Sequence, residues 1–87
     1  MACYIIVYSG TKSGSWLALK NTIKSYGTWA HITNSSWAVV TDKKATEIRN
    51  GLLPHVPTGG RLIVVKSGIE AAWRNVICSN EWLKKHL

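Results

Sequence analysis

The spacing of apolar residues changes several times along the chain, and each change marks a structural element. The segment Ala2–Ser9 is rich in Ile, Val and Tyr and is apolar at successive positions, which predicts a β-strand covered on both faces. Further along, apolar residues fall on one face of a helix, at Trp16, Leu19, Ile23 and Tyr26. Gly27 stands where the C-terminal cap belongs, so we predict an amphipathic helix of about three turns.

The middle of the chain contains a hairpin pattern and then a second helical pattern. Two β-rich runs, Thr28–Thr33 and Ser36–Thr41, are separated by the turn formers Asn34 and Ser35. Asp42 is placed to cap the following helix. Its apolar side contains Ala45, Ile48 and Leu52. Its end is marked by Gly51 and Pro54.

The last third of the chain predicts another strand and a short helix. Arg61–Lys66 contains LIVV and is apolar on both faces, so we expect it to be central in a sheet or covered twice. Weak helical character returns in IEAAW. The final segment has Ser79 as N-cap, Glu81 in the first turn and basic residues in the last turn, which predicts a short terminal helix.

The element order strand, helix, hairpin, helix, strand predicts one α+β domain over residues 1–87 with the ferredoxin-like βαββαβ plait. Two helices then cover one face of an antiparallel four-stranded sheet, and a short C-terminal helix follows. We expect the two doubly apolar strands to lie side by side in the centre. Because the helices cover one face only, the C-terminal segment or a second copy must cover the other, and we favour a symmetric homodimer.

Composition narrows the class of protein. A chain of 87 residues forms one compact domain of marginal stability, and a hydrophobic fraction of 46% with five Trp is typical of a folded protein. No apolar run approaches the roughly 18 residues of a membrane span, so we expect a soluble, cytoplasmic protein with no membrane partner. Cys3 and Cys78 lack metal-ligand spacing, which favours two reduced, mostly buried thiols.

The charge favours a polyanionic partner. Eleven Lys and Arg against four acids give a net charge of +7, so DNA or RNA is a candidate partner, although surplus Lys also keeps small proteins soluble. Trp29 and Trp37 flank the hairpin turn, where aromatic rings either stack on unpaired bases or fill the core. The candidate phosphate contacts are Lys12, Lys43, Lys44, Arg49, Arg61 and Lys66.

No constellation of residues predicts catalysis, a metal or a cofactor. The loop from Gly10 to Gly14 resembles a phosphate loop, but Lys12 precedes the second Gly, so Walker spacing fails and only a weak anion site remains. The three His and four acidic residues are scattered. Spacing therefore supports neither a metal site nor a Ser/His/Asp or Cys/His nucleophile.

Several short segments resemble one known group of proteins. They are YIIVYS, Trp29-x-His31 with Ser36-Trp37 across the hairpin, EIRNGLLPHV, and GIEAAW followed by EWLKKHL. With the size and element order, they resemble the small Cas-two-like, CRISPR-associated proteins, some of which are labelled SinR family. The resemblance covers nearly the whole chain, and its motifs are mostly structural.

The resemblance implies a homodimer of ferredoxin-like domains packed through their open sheet faces. Some members of the family are metal-dependent nucleases, and others are structural subunits that hold DNA. The nuclease role depends on an aspartate directly after the tyrosine that ends the first strand. In this chain Tyr8 is followed by Ser9, whose neutral hydroxyl is a poor Mg²⁺ ligand, so the resemblance implies a degenerate site without metal or catalytic residue.

Three hypotheses follow from these observations. The leading one is a catalytically inactive, dimeric Cas-two-like protein that binds nucleic acid or a protein partner through its basic loops. The second is a metal-dependent nuclease that uses another carboxylate, such as Asp42 or Glu70. The third is an interaction protein of a phage or mobile element that imitates a host subunit by shape.

Overall fold

A computed structural model describes residues 1–10, 16–68 and 70–87. Within these ranges the chain forms a four-stranded antiparallel sheet and three helices, which confirms the α+β class. The strand order is β2-β3-β1-β4. The strands have the predicted bounds: β1 Ala2–Ser9, β2 Thr28–Thr33, β3 Ser36–Thr41 and β4 Arg61–Lys66.

The predicted position of β4 in the centre of the sheet is wrong. β4 does pair with β1, but β1 and β3 are the inner strands, and β4 is at an edge. Its Leu62 and Val64 are half-buried on one face, whereas Ile63 and Val65 are 55% and 47% exposed on the other. The apolar run in β4 therefore reflects one packed face and one open face rather than double coverage.

The three helices are α1 Leu17–Lys24, α2 Ala45–Leu52 and α3 Asn80–His86. α1 is shorter than predicted because a turn over Ser25 and Tyr26 follows Lys24. Gly27 then adopts φ 95°, and its amide donates to the Lys24 carbonyl at 3.2 Å. The predicted cap of α3 is confirmed, since the Trp82 amide donates to Ser79 Oγ at 3.2 Å.

Two other local predictions are wrong. Asp42 does not cap α2, because the helix starts at Ala45 and the amide of its N-cap, Lys44, donates to Glu47 Oε1 at 3.0 Å. The weak helical pattern of IEAAW produces no helix over the described residues 70–79. Instead the chain turns at Asn75, with φ 57°, and the Ile77 amide donates to the Ile32 carbonyl of β2 at 2.8 Å.

One face of the sheet packs against α1 and α2, and we call it the helix-covered face. Alternate residues of β1 and β3 point into this core, where they meet the apolar sides of the two helices. Its central side chains are Tyr4, Ile6, Tyr8, Leu19, Ile23, Trp37, Val39, Ile48 and Leu52, all of which are buried.

The opposite face, which we call the open face, is covered in part by the C-terminal segment. Leu83 of α3 is buried outside the helix-covered core, and the end of α3 lines a cavity together with Cys3 and Lys66. On this face the inner residues Ala30 and Ala38 are buried, and burial raises the pKa of the Cys3 thiol. Towards β4 the open face remains exposed. In the described ranges, no helix combines the length and apolar character needed to cross a membrane.

Candidate functional site

The end of β1 presents a neutral hydroxyl beside a cation. Ser9 is exposed and lies opposite Arg61 of β4 in the strand register. Gly10 follows with φ 126°, and a Cβ on it would lie 3.2 Å from the Gly59 carbonyl oxygen and 3.6 Å from Arg61 Cγ. The stem of Arg61 therefore packs beside the strand end, where a guanidinium favours an anion over a divalent cation.

The two carboxylates of the nuclease hypothesis lie towards the other end of the sheet. Asp42 follows Thr41, which pairs with Ala2, and Ala2 is about 23 Å along β1 from Ser9. Glu70 comes three residues after Ser67, whose amide donates a hydrogen bond to the Cys3 carbonyl. Within residues 1–10, 16–68 and 70–87, no group of three or more His, Cys, Asp and Glu side chains is placed to hold a metal ion.

The predicted phosphate contacts do not form one patch. Lys66 lines an open cavity of about 610 Å³ together with Asp42 and His86, and Lys43 and Lys44 directly follow Asp42 in the chain. Arg61 is at the opposite end of β4, about 17 Å from Lys66 along the strand. Lys12 lies outside the described residues.

Arg49 belongs to neither group of basic residues. It is exposed on α2, and its Nε and Nη2 donate to Asn50 Oδ1 at 3.2 and 3.0 Å. The residue also lines a groove of about 310 Å³ between α2 and β4, together with Ala45, Thr46, Leu62, Ile63 and Val64.

Lys43 is held against an aromatic ring. Its Nζ lies 5.9 Å from the centroid of Tyr26, within the range of a cation–π interaction. Burial raises the pKa of Tyr26, and the nearby Glu47 carboxylate raises it further. This tyrosine therefore remains a neutral hydrogen-bonding group at physiological pH.

An aromatic row crosses the helix-covered face, and its members are Trp16, Tyr8, Trp37, His31 and Trp29. The Tyr8 and Trp16 rings are 4.6 Å apart, and Trp37 Nε1 donates to Tyr8 Oη at 3.1 Å. The His31 ring stacks on Trp37 at 4.2 Å with an interplanar angle of 13°, and Trp29 packs on Trp37 at 5.4 Å. The row thus connects β1, β3 and β2 in one rigid network.

The row is buried at Trp37 and exposed at Trp29. Trp37 is 3% exposed, whereas Trp29 on β2 is 37% exposed. The Lys24 Nζ lies 5.3 Å from the Trp29 centroid and 5.8 Å from that of Trp37. His31 Nε2 is buried and has no hydrogen-bond partner in the part of the chain described.

Sequence reasoning identified the two hairpin tryptophans but missed Lys24. The signal was available, because Lys24 precedes Gly27 and Trp29 follows it. A chain reversal at that glycine brings the last turn of α1 over the first residues of β2.

Comparison with known proteins adds no family assignment. No protein-family model matches the sequence, and no curated protein gives a significant match. The inference of function therefore depends on the geometry of the residues described above.

Proposed function

We propose that this protein is a catalytically inactive, Cas-two-like protein that binds nucleic acid as a homodimer of ferredoxin-like domains. The strand order supports the plait, since β3 lies between β1 and β2 as in a split β-α-β unit. The position of α1 and α2 on one face of the sheet supports it as well.

The open face supports the dimer. Val7, Ile63 and Val65 are exposed there, and the cross-strand pairs Val7–Ile63 and Ile5–Val65 form one continuous apolar strip. A small domain gains stability when such a strip is buried against a second copy. The apolar strips of two identical chains can pack against each other. The proposed partner for this strip is therefore a second copy of the chain.

The observation that carries the functional proposal is the pairing of Ser9 with Arg61 at the strand end. A nuclease of the resembled type needs an anionic ligand for Mg²⁺ at this position, and this chain has a neutral serine whose partner in the strand register is an arginine. The pair is suited to a phosphate oxygen rather than to a metal ion. The net charge of +7 adds a field that attracts polyanions.

A salt titration and a cleavage assay test this proposal. Binding of labelled single-stranded and duplex DNA and RNA should be measurable at low ionic strength, and log affinity should fall linearly with log salt concentration. Arg61→Gln should weaken binding, and the matched variant Lys84→Gln on α3 controls for the loss of one charge. No binding of any polynucleotide at the lowest salt would overturn the nucleic-acid function.

The cleavage assay uses the same substrates with Mg²⁺ or Mn²⁺. The unmodified protein should leave them intact, and Ser9→Asp, which introduces the carboxylate of the resembled nucleases, is assayed beside it as the comparison. Metal-dependent cleavage by the purified, unmodified protein would overturn the proposed inactivity.

A protein partner is the second candidate, and one feature favours it. β4 is an edge strand with a groove alongside that has both apolar and polar lining, and an extended peptide adds to such edges by main-chain hydrogen bonds. Retrieval of a stoichiometric protein from lysate that persists after nuclease treatment and is lost with Val64→Pro would support this candidate. Loss of the partner on nuclease treatment would contradict it.

A further inference from the structure

Trp29 is a fixed aromatic ring at the edge of the sheet. The residue is 37% exposed on β2, and its ring packs on Trp37 at an interplanar angle of 50°. Trp37 is itself anchored by its hydrogen bond to Tyr8 Oη. A ring held in this way loses little conformational entropy when a ligand stacks on it, so more of the contact energy becomes affinity.

The surroundings of Trp29 are basic. Lys24 Nζ lies 5.3 Å from the ring centroid, and Lys20 lies one helical turn earlier on the same side of α1. The first acidic residue of the sequence is Asp42, so neither α1 nor β2 contains a carboxylate. Lys24 Nζ lies over the Trp29 ring, and basic residues combined with an exposed aromatic ring are features with which proteins bind single-stranded nucleic acid.

The ring of His31, which stacks on Trp37, contains a buried nitrogen, Nε2, without a hydrogen-bond partner among the described residues. In native structures nearly all buried polar groups have a hydrogen-bond partner, so one without a partner requires an explanation. The row is therefore not explained fully by packing at its β2 end.

We infer that Trp29 and Lys24 form a stacking site for an unpaired base of single-stranded nucleic acid, with the base on the outer surface of the indole and its phosphate near the lysine. The inference rests on the proposed nucleic-acid function, and it adds a site on α1 and β2 that is separate from the basic loops. A duplex buries the faces of its bases and cannot occupy the site in this way. An apolar protein surface would leave the Lys24 ammonium without a counter-charge.

A titration followed by NMR tests the site in the unmodified protein. The five indole N–H signals of the ¹⁵N-labelled protein, assigned with single Trp→Tyr variants, are followed as single-stranded oligothymidylate is added. The Trp29 signal should shift with the binding curve, while the Trp82 signal on α3 should stay unchanged. A duplex of equal phosphate number should leave both signals in place.

Variants separate stacking from charge. Trp29→Ala should lower the affinity for oligothymidylate about tenfold and leave duplex affinity unchanged, and Trp29→Tyr should restore most of the loss. Lys24→Gln should reduce the dependence of log affinity on log salt by about one, whereas Lys85→Gln on α3 is the control of equal charge. Anisotropy of a labelled strand measures both effects.

The outcomes distinguish this inference from the function on which it rests. If oligothymidylate binds and neither the Trp29 signal nor the affinity of Trp29→Ala changes, the stacking site is wrong and the nucleic-acid function stands. If no polynucleotide binds at low salt, both fail. If Lys24→Gln and Lys85→Gln weaken binding equally, Lys24 acts only through net charge and its role in the site is wrong.

Discussion

The two faces of the sheet are formed by the same strands but differ in how completely their side chains are buried. On the helix-covered face, Ile6 of β1 is fully buried between α1, α2 and the neighbouring strands. On the open face, the adjacent residue Val7 is 38% exposed, and Ile63 opposite it is 55% exposed. The helix-covered face is buried by α1 and α2 within the protomer, whereas the open face keeps exposed apolar side chains at Val7, Ile63 and Val65.

This difference teaches how a small chain divides its apolar residues between folding and association. Burial on the helix-covered face contributes to the stability of the isolated protomer, since it removes whole side chains from water. The strip near β4 contributes little until something covers it. Substitutions on the two faces should therefore affect different measurements.

The largest expected effect comes from matched Ile→Ala changes on the two faces. Ile6→Ala should lower the free energy of unfolding by about 2–5 kcal/mol, because the buried site loses three carbons and leaves a cavity. Ile63→Ala removes the same atoms from a half-exposed site and should cost about 1 kcal/mol or less. Denaturant unfolding at low protein concentration measures both, and equal losses would contradict the contrast between the faces.

The next effect concerns association. Ile63→Lys should raise the dimer dissociation constant at least about tenfold, because it places an unpaired charge in the apolar strip, and it should leave protomer stability nearly unchanged. Thr58→Lys adds the same charge on an exposed loop and serves as the control. Analytical ultracentrifugation measures the masses. A native protein that is monomeric at every concentration would remove the open face as a dimer interface.

The cover of the open face depends on the cap of α3. Ser79→Ala removes the acceptor of the Trp82 amide and should cost about 1 kcal/mol of stability. Amide exchange at Ile77 should quicken with it, since that residue joins the C-terminal segment to β2. Ser25→Ala is the control: Ser25 follows the C-terminal end of α1, and its replacement should change stability by only a few tenths of a kcal/mol. Equal effects of the two changes would argue against the cap.

A smaller effect tests the edge of the helix-covered face. His31→Phe retains the ring stacked on Trp37 and removes the buried Nε2 that lacks a partner, so stability should stay the same or rise by up to about 1 kcal/mol. Thermal unfolding at fixed pH measures the change. A loss of more than about 1 kcal/mol would show that the nitrogen has a stabilising partner.

The smallest effect is a loss of stability in alkali. Burial raises the pKa of Cys3 on the open face, and burial and Glu47 raise that of Tyr26 beside α1. Both groups ionise more readily in the unfolded chain, so their contribution is present below the unfolded pKa and is lost as pH rises through the folded pKa. Stability should fall from about pH 9 upward. Cys3→Ala and Tyr26→Phe should each flatten that fall in urea titrations at several pH values.

Local patterns predicted the elements well where short-range interactions decide them. The hairpin bounds were predicted because Asn34 and Ser35 interrupt two β-rich runs, and the α3 cap because a hydroxyl precedes a short helical segment. Asp42 was wrong as a cap because α2 begins at Ala45, and Glu47 accepts from the amide of its N-cap, Lys44. IEAAW was wrong as a helix because the chain there bonds to Ile32 of β2, a contact that no local pattern records.

Some features of the candidate site could also be predicted from the sequence, and others could not. Ser9 and the net charge could be read from the sequence, but the grouping of the basic residues and the proximity of Lys24 to Trp29 could not. The six predicted contacts are separated because β4 places Arg61 and Lys66 at opposite ends of the sheet. Side chains far apart in sequence meet only through strand pairing, whose energy depends on the whole sheet.

The sequence by itself determined the strands, the approximate helices, the positive charge and the presence of a neutral serine after Tyr8, because each of these can be read from the residues without the fold. Only the tertiary structure decided that β4 is an edge strand, that the open face stays partly exposed, and that Arg61 stands opposite Ser9. An apolar run such as LIVV shows that both sides of the strand are apolar, but not that both are buried. Which surface covers each side depends on the packing of distant parts of the chain or of another molecule.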